Sequence, residues 1–128
     1  KQPGPLDKTI PFLFGFSNVS RIPFRTNLYY ELLKYNIPFH YKGKDEENID
    51  YLSADEYNER LRHAKYTYII PSYDVNEYSL IRHLEAKHRG VKVLVHPECN
   101  LQRINTDRHR YLLDEIEIIE PKDLRKYL

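Results

Sequence analysis

The sequence has no methionine, one cysteine and four glycines in 128 residues. A single cysteine, Cys99, excludes an internal disulfide framework and any zinc cluster built on cysteine. It also fits a reducing, cytoplasmic setting. His-x-x-x-His spacing is missing, with His83 and His88 five positions apart, so no metal pair is expected. No Gly-x-Gly-x-x-Gly occurs, which argues against a dinucleotide site of that kind. No apolar run approaches the ~20 residues of a membrane span, and no secretory signal is visible. Charge of one sign is lacking too: 20 Lys and Arg against 19 Asp and Glu leave +1. That is too little for a simple electrostatic nucleic-acid binder. Without methionine even at position 1, the chain is expected to be a piece of a longer polypeptide.

What is present reads as one globular domain, 41% hydrophobic and 30% charged. Lys1 to Lys8, with Pro3, Gly4 and Pro5, has the composition of a linker, leaving residues 9–128 as the domain. Thr9 to Phe16 is an apolar first strand with Pro11 near its start. A polar loop follows, and Thr26 or Asn27 is placed to cap a helix through Tyr35, with Leu28, Leu32 and Tyr35 inward. Ile37 to Tyr41 is a second strand, and Lys44 to Asp50 a charged loop. Ser53-Ala54-Asp55-Glu56 is a capping box opening a helix that buries Tyr57, Leu61 and Ala64. Tyr66 to Ile70 is a β-branched and aromatic strand, stopped by Pro71 and Ser72. Leu80, Ile81, Leu84 and His88 share one helical face, Gly90 closes that helix, and Val91 to Val95 is a further strand. Strand, helix, strand at this spacing is a βαβ unit with parallel strands and a right-handed crossover. Beyond it lie a helical turn at Arg108 to Leu113, a last strand at Glu115 to Ile119, and a terminal helix opened by Pro121. The expected fold is α/β, a Rossmann-like doubly wound parallel sheet of about five strands in the order 3-2-1-4-5.

Ligands of such sheets bind beyond the carboxyl ends of the strands, where helix N-termini offer N–H groups. Here that place is Ser72 to Ser79. Glu77 and Glu85 bear on it, eight positions apart, which leaves them about 80° apart around a helix. Their spacing alone also fits Glu77 favouring the helix dipole and Glu85 facing solvent. His83 and His88 are expected at the helix surface or core edge, and His96-Pro97-Glu98-Cys99 ends a strand at the ligand edge.

Pro71-Ser72, Glu77, Glu85-Ala86, Gly90 and the valine-rich strand together resemble the nucleotide-sugar site of retaining GT-B glycosyltransferases, in their C-terminal, donor-binding half. The resemblance implies an enzyme that transfers a sugar from a nucleoside-diphosphate donor with retention. It implies that Glu77 meets the sugar hydroxyls, that the amides of Tyr78 and Ser79 meet the phosphates, and that Glu85 binds the ribose. Arg21 and Arg25 would offset the charge of the leaving diphosphate, and Gly15, Ser72 and Tyr73 would line the same donor pocket. The chain departs from the family where Tyr78-Ser79 replaces Phe-Gly and where Gly15-Phe16-Ser17 replaces a Gly-Arg pair. No metal or cofactor is implied beyond the donor. The acceptor, a glycan, lipid or other molecule, would be held by an N-terminal domain outside this chain. Two alternatives stand beside this reading. One is a Rossmann-like binding or interaction module without transfer. The other is an unrelated nucleotide-binding α/β domain, although Phe16-Ser17-Asn18 lacks the acidic residues a receiver needs.

Overall fold

A computed structural model describes residues 10–14, 23–38, 40–41, 53–71 and 78–128. The expected linker at Lys1 to Lys8 and the charged loop at Lys44 to Asp50 lie outside the described residues. In chain order the elements are β1 (Ile10–Phe14), α1 (Pro23–Lys34), β2 (His40–Tyr41), α2 (Ala54–Leu61), β3 (Ala64–Ile69), α3 (Leu80–His88), β4 (Lys92–Val95) and β5 (Ile116–Ile118). Three 3-10 helices, Leu101–Arg103, Arg110–Glu115 and Pro121–Tyr127, complete the elements of the described residues. All strand pairs are parallel, in the order β2-β1-β3-β4-β5. This is a Rossmann-like α/β sheet flanked by helices.

The order corrects the expected 3-2-1-4-5. β3 lies between β1 and β4, with Phe12 opposite Tyr66 and Thr67 opposite Val93. The reason is burial. Thr67, Tyr68 and Ile69 are all buried, so this strand needs a neighbour on each side and a helix layer on each face. The Thr67 hydroxyl fixes the seam by donating to the Leu13 carbonyl at 2.8 Å. The second strand goes to the edge, where among the described residues His40 and Tyr41 pair with β1, and Pro38 before them brings no N–H to a ladder.

Alternation along the strands feeds two cores. Leu13, Ile69, Val93 and Val95 pack with α2 and α3 through Tyr57, Leu61 and Ala86. Phe12, Tyr68 and Leu94 pack on the other face with Leu28 and Leu32 of α1 and with Leu124. Among the described residues no helix is long and apolar enough to cross a membrane.

Local signals account for the helix ends. Ser53 accepts from the Glu56 amide at 3.1 Å while the Glu56 carboxylate accepts from the Ser53 amide at 3.0 Å, a complete capping box. α1 starts at Pro23, earlier than Thr26, because proline suits a first turn whose N–H groups have no partner. α1 and α3 end alike. Gly90 has φ 69°, with Val91 N–H bonded to Ala86 O and Gly90 N–H to Lys87 O. Asn36 has φ 55°, with Ile37 N–H bonded to Leu32 O and Asn36 N–H to Leu33 O. Both are Schellman motifs, each closed by an apolar pair in the adjoining core. The Arg125 guanidinium then donates to the Tyr35 and Asn36 carbonyls, tying the last 3-10 helix to the end of α1.

Candidate functional site at the carboxyl edge of the sheet

β1 has β2 on one side and β3 on the other, so the chain reverses direction across the sheet between β1 and β3. The order 2-1-3-4-5 is one of the two common doubly wound arrangements, and its ligand crevice opens at this reversal, outside the carboxyl ends of the strands. The first turns of α1 and α3 lie at this edge, with Phe24 against His96 and the Tyr78 amide on the Asn100 carbonyl. Arg25 stands half-buried in the first turn of α1. Of the other candidates, Gly15, Arg21, Ser72, Tyr73 and Glu77 lie outside the described residues.

Three further candidates are described, and each is already engaged. Tyr78 turns its side chain into the core, and its amide donates to the Asn100 carbonyl at 3.1 Å. A phosphate that takes this N–H, as the resemblance implies, must displace the Asn100 carbonyl. Ser79 is the N-cap of α3, its hydroxyl accepting from the Arg82 amide at 3.4 Å. Glu85 sits six positions into the helix, about 9 Å along its axis from the cap. One of its oxygens accepts from Arg82 at 2.7 Å and the other faces Asn58 of α2 at 3.5 Å. It is therefore not a solvated residue, and a ribose would have to displace these partners. Arg82 in turn lies over the Tyr57 ring, 4.9 Å from its centroid.

The same edge carries His96 at the end of β4, buried, with the Phe24 ring edge-on at 5.1 Å. Its Nδ1 accepts from the Glu98 amide at 3.1 Å, which places the ring proton on Nε2. Burial holds His96 below the usual histidine range, although Glu98, Glu120 and Glu31 pull the other way. Cys99 donates to the Ile69 carbonyl at 3.6 Å, and burial pushes its thiol up to about 12. A thiol held protonated at neutral pH is a poor nucleophile, so Cys99 serves here as packing.

Sequence reasoning missed a buried polar chain on α3. The inward residues of this helix are His83 and Ala86 with Leu80 and Leu84 beside them, while Ile81 is 66% exposed. The expected face is thus rotated, and His83, expected at the helix surface or core edge, is fully buried. Its Nδ1 lies 2.7 Å from the Tyr78 hydroxyl and its Nε2 lies 3.2 Å from the Glu115 carboxylate, which Lys87 also holds. The stripe Leu80, His83, Leu84, Lys87 carries the same i, i+3, i+4, i+7 spacing as an amphipathic face and was the available signal. Burial would raise Glu115, but its bonds to Lys87 and His83 prevail and hold it below the usual carboxylate range.

The fold is a Rossmann-like parallel α/β sheet whose strand order reverses between β1 and β3. No family model matches the chain, and a search of curated proteins returns no match.

Proposed function

We propose that this chain is the donor-binding domain of a glycosyltransferase that uses a nucleoside-diphosphate sugar. The observation that supports the reading is the sheet order, which puts the reversal point, the Arg25 helix turn and the entry to α3 at one carboxyl edge. A diphosphate at that edge meets a helix N-terminus and a guanidinium, both of which favour its charge. In the transfer step the bond between the sugar's anomeric carbon and the diphosphate oxygen breaks and the acceptor hydroxyl takes the sugar. The negative charge that develops on the leaving oxygen is what Arg21 and Arg25 would stabilise. Glu77 and Glu85 would orient sugar and ribose, as the sequence resemblance implies, and the acceptor would come from a second domain.

A binding module without transfer is the second reading. It is favoured by the engaged Tyr78 amide and by Ser79 acting as a helix cap, since both use groups that a diphosphate would need. Calorimetric titration with UDP, ADP and GDP tests the proposal. Saturable binding of one of them that weakens on the order of tenfold in Arg25→Ala is the expected result. No binding of any nucleoside diphosphate would refute it.

A further inference from the structure

The chain Tyr78–His83–Glu115 runs from the start of α3, at the carboxyl edge of the sheet, to the opposite edge, where Glu115 precedes β5. An open cavity of about 330 Å3 lies at that far edge, with His83, Lys87, Lys92 and Glu115 among its walls. The buried imidazole is therefore in reach of solvent protons on the side away from the proposed ligand. Glu115 is an acceptor in its carboxylate form, so His83 carries its proton on Nε2 and its bare Nδ1 accepts from the Tyr78 hydroxyl. Among the described residues, His83 is the hydrogen-bond partner of that hydroxyl. Tyr78 is fixed at two points, by this bond and by its amide on Asn100.

We propose that Tyr78, His83 and Glu115 form a pH-sensitive tie that positions the N-terminus of α3, and that protonation of His83 undoes it. A second proton on the ring occupies Nδ1. Nδ1–H can only donate to the phenol oxygen, so the buried Tyr78 O–H loses its acceptor. The cost of leaving that donor unpaired falls on the Tyr78 backbone, whose other anchor is the Asn100 carbonyl. The titratable groups around the ring are Tyr78 at the entry to α3, Lys87 one turn further along it, and Glu115 from the 3-10 helix. Cys99 faces Tyr78 from the turn after β4. Glu115 favours the charged ring and Lys87 opposes it, while burial outweighs both and keeps His83 neutral near pH 7. Glu115 and His83 act here as positioning residues, not as groups that touch a ligand. The functional consequence rests on the reading of the preceding section, because the helix end that moves is the one facing the proposed donor. The tie itself is measured without ligand, so the two can fail separately.

The test is amide hydrogen exchange and imidazole NMR on the whole chain between pH 7.5 and 5. The expected result is that the Tyr78 protection factor falls about tenfold, the loss of one hydrogen bond, at the midpoint of the His83 ring titration. Glu115→Gln should move both midpoints to lower pH, and Lys87→Gln, at a half-exposed position, should move both to higher pH. In Tyr78→Phe the protection step should vanish while His83 still titrates. A His83 titration that leaves Tyr78 protection unchanged overturns the proposal. Midpoints that shift the same way in the Glu115 and Lys87 variants overturn it too, as does unfolding before His83 takes its proton.

Discussion

Glu85→Gln separates two roles that the same carboxylate cannot fill at once. In the free protein Glu85 and Arg82 are 18% and 24% exposed, and the 2.7 Å bond between them holds the guanidinium over Tyr57. A fully exposed pair three positions apart contributes about 0.3–0.5 kcal/mol, and a hydrogen bond to a charged partner about 1.5–3 kcal/mol when shielded. A pair at this depth falls between them, on the order of 1 kcal/mol. Unfolding entropy of about 2.1 cal/mol/K per residue over 128 residues makes 1 kcal/mol about 4 °C in Tm. The assay is a double-mutant cycle of Glu85→Gln and Arg82→Met by thermal and urea unfolding, which isolates the pair from each side chain's separate losses. A coupling within about 0.3 kcal/mol of zero would refute the structural role. The cycle is then repeated with saturating nucleotide. A ribose that captures Glu85 must replace Arg82, so the coupling should shrink in the complex. Undiminished coupling with bound nucleotide would remove Glu85 from the donor site.

Asn36→Gly should leave stability unchanged within a few tenths of a kcal/mol. Asn36→Ala should cost about 1 kcal/mol, because φ 55° puts a Cβ against the following carbonyl; equal urea midpoints for the two variants would contradict this. Stability should also fall below about pH 6.5. His83 and His96 are held neutral by burial, so the unfolded chain binds protons that the folded chain does not. Stability then rises with pH through this range and is lost as pH drops from the unfolded histidine value toward the lower folded one. Each histidine contributes up to about 1.4 kcal/mol per pH unit. A urea midpoint that stays flat from pH 7.5 to 5.5 would show that neither ring is held neutral.

The features legible in the sequence are those set by neighbours along the chain. The Ser53–Glu56 box, the glycine that ends α3 and the proline that opens the last helix each act within four residues, and all stand where expected. The terminal helix is of the 3-10 kind, which its composition does not announce. Strand order was not legible, because Tyr66 to Ile70 has the same composition whether it pairs with the first strand or the second. What decides is Thr67 meeting Leu13 across 54 positions. The face of α3 was misread for a similar reason. Periodicity admits either Ile81 with His88 or His83 beside Leu80 and Leu84, and contact with Tyr78 and Glu115, the latter 32 positions away, makes His83 the inward residue. The engaged state of Tyr78, Ser79 and Glu85 is likewise a matter of partners brought from Asn100, Arg82 and Asn58.

The seam between β1 and β3 has a consequence for the order in which the molecule is made. Ile10 pairs with Ala64, and Leu13 with Thr67, so β1 waits some 54 residues for its main neighbour. At about 5–20 residues per second of synthesis, that wait is roughly 3–10 s. Throughout it, Ile-Pro-Phe-Leu-Phe is an apolar strand whose β3-facing edge is bare. Such segments associate with one another when left bare, and a proline inside them is a common safeguard. Pro11 therefore protects the nascent chain during the interval in which the first strand has been made and the strand that will cover it has not.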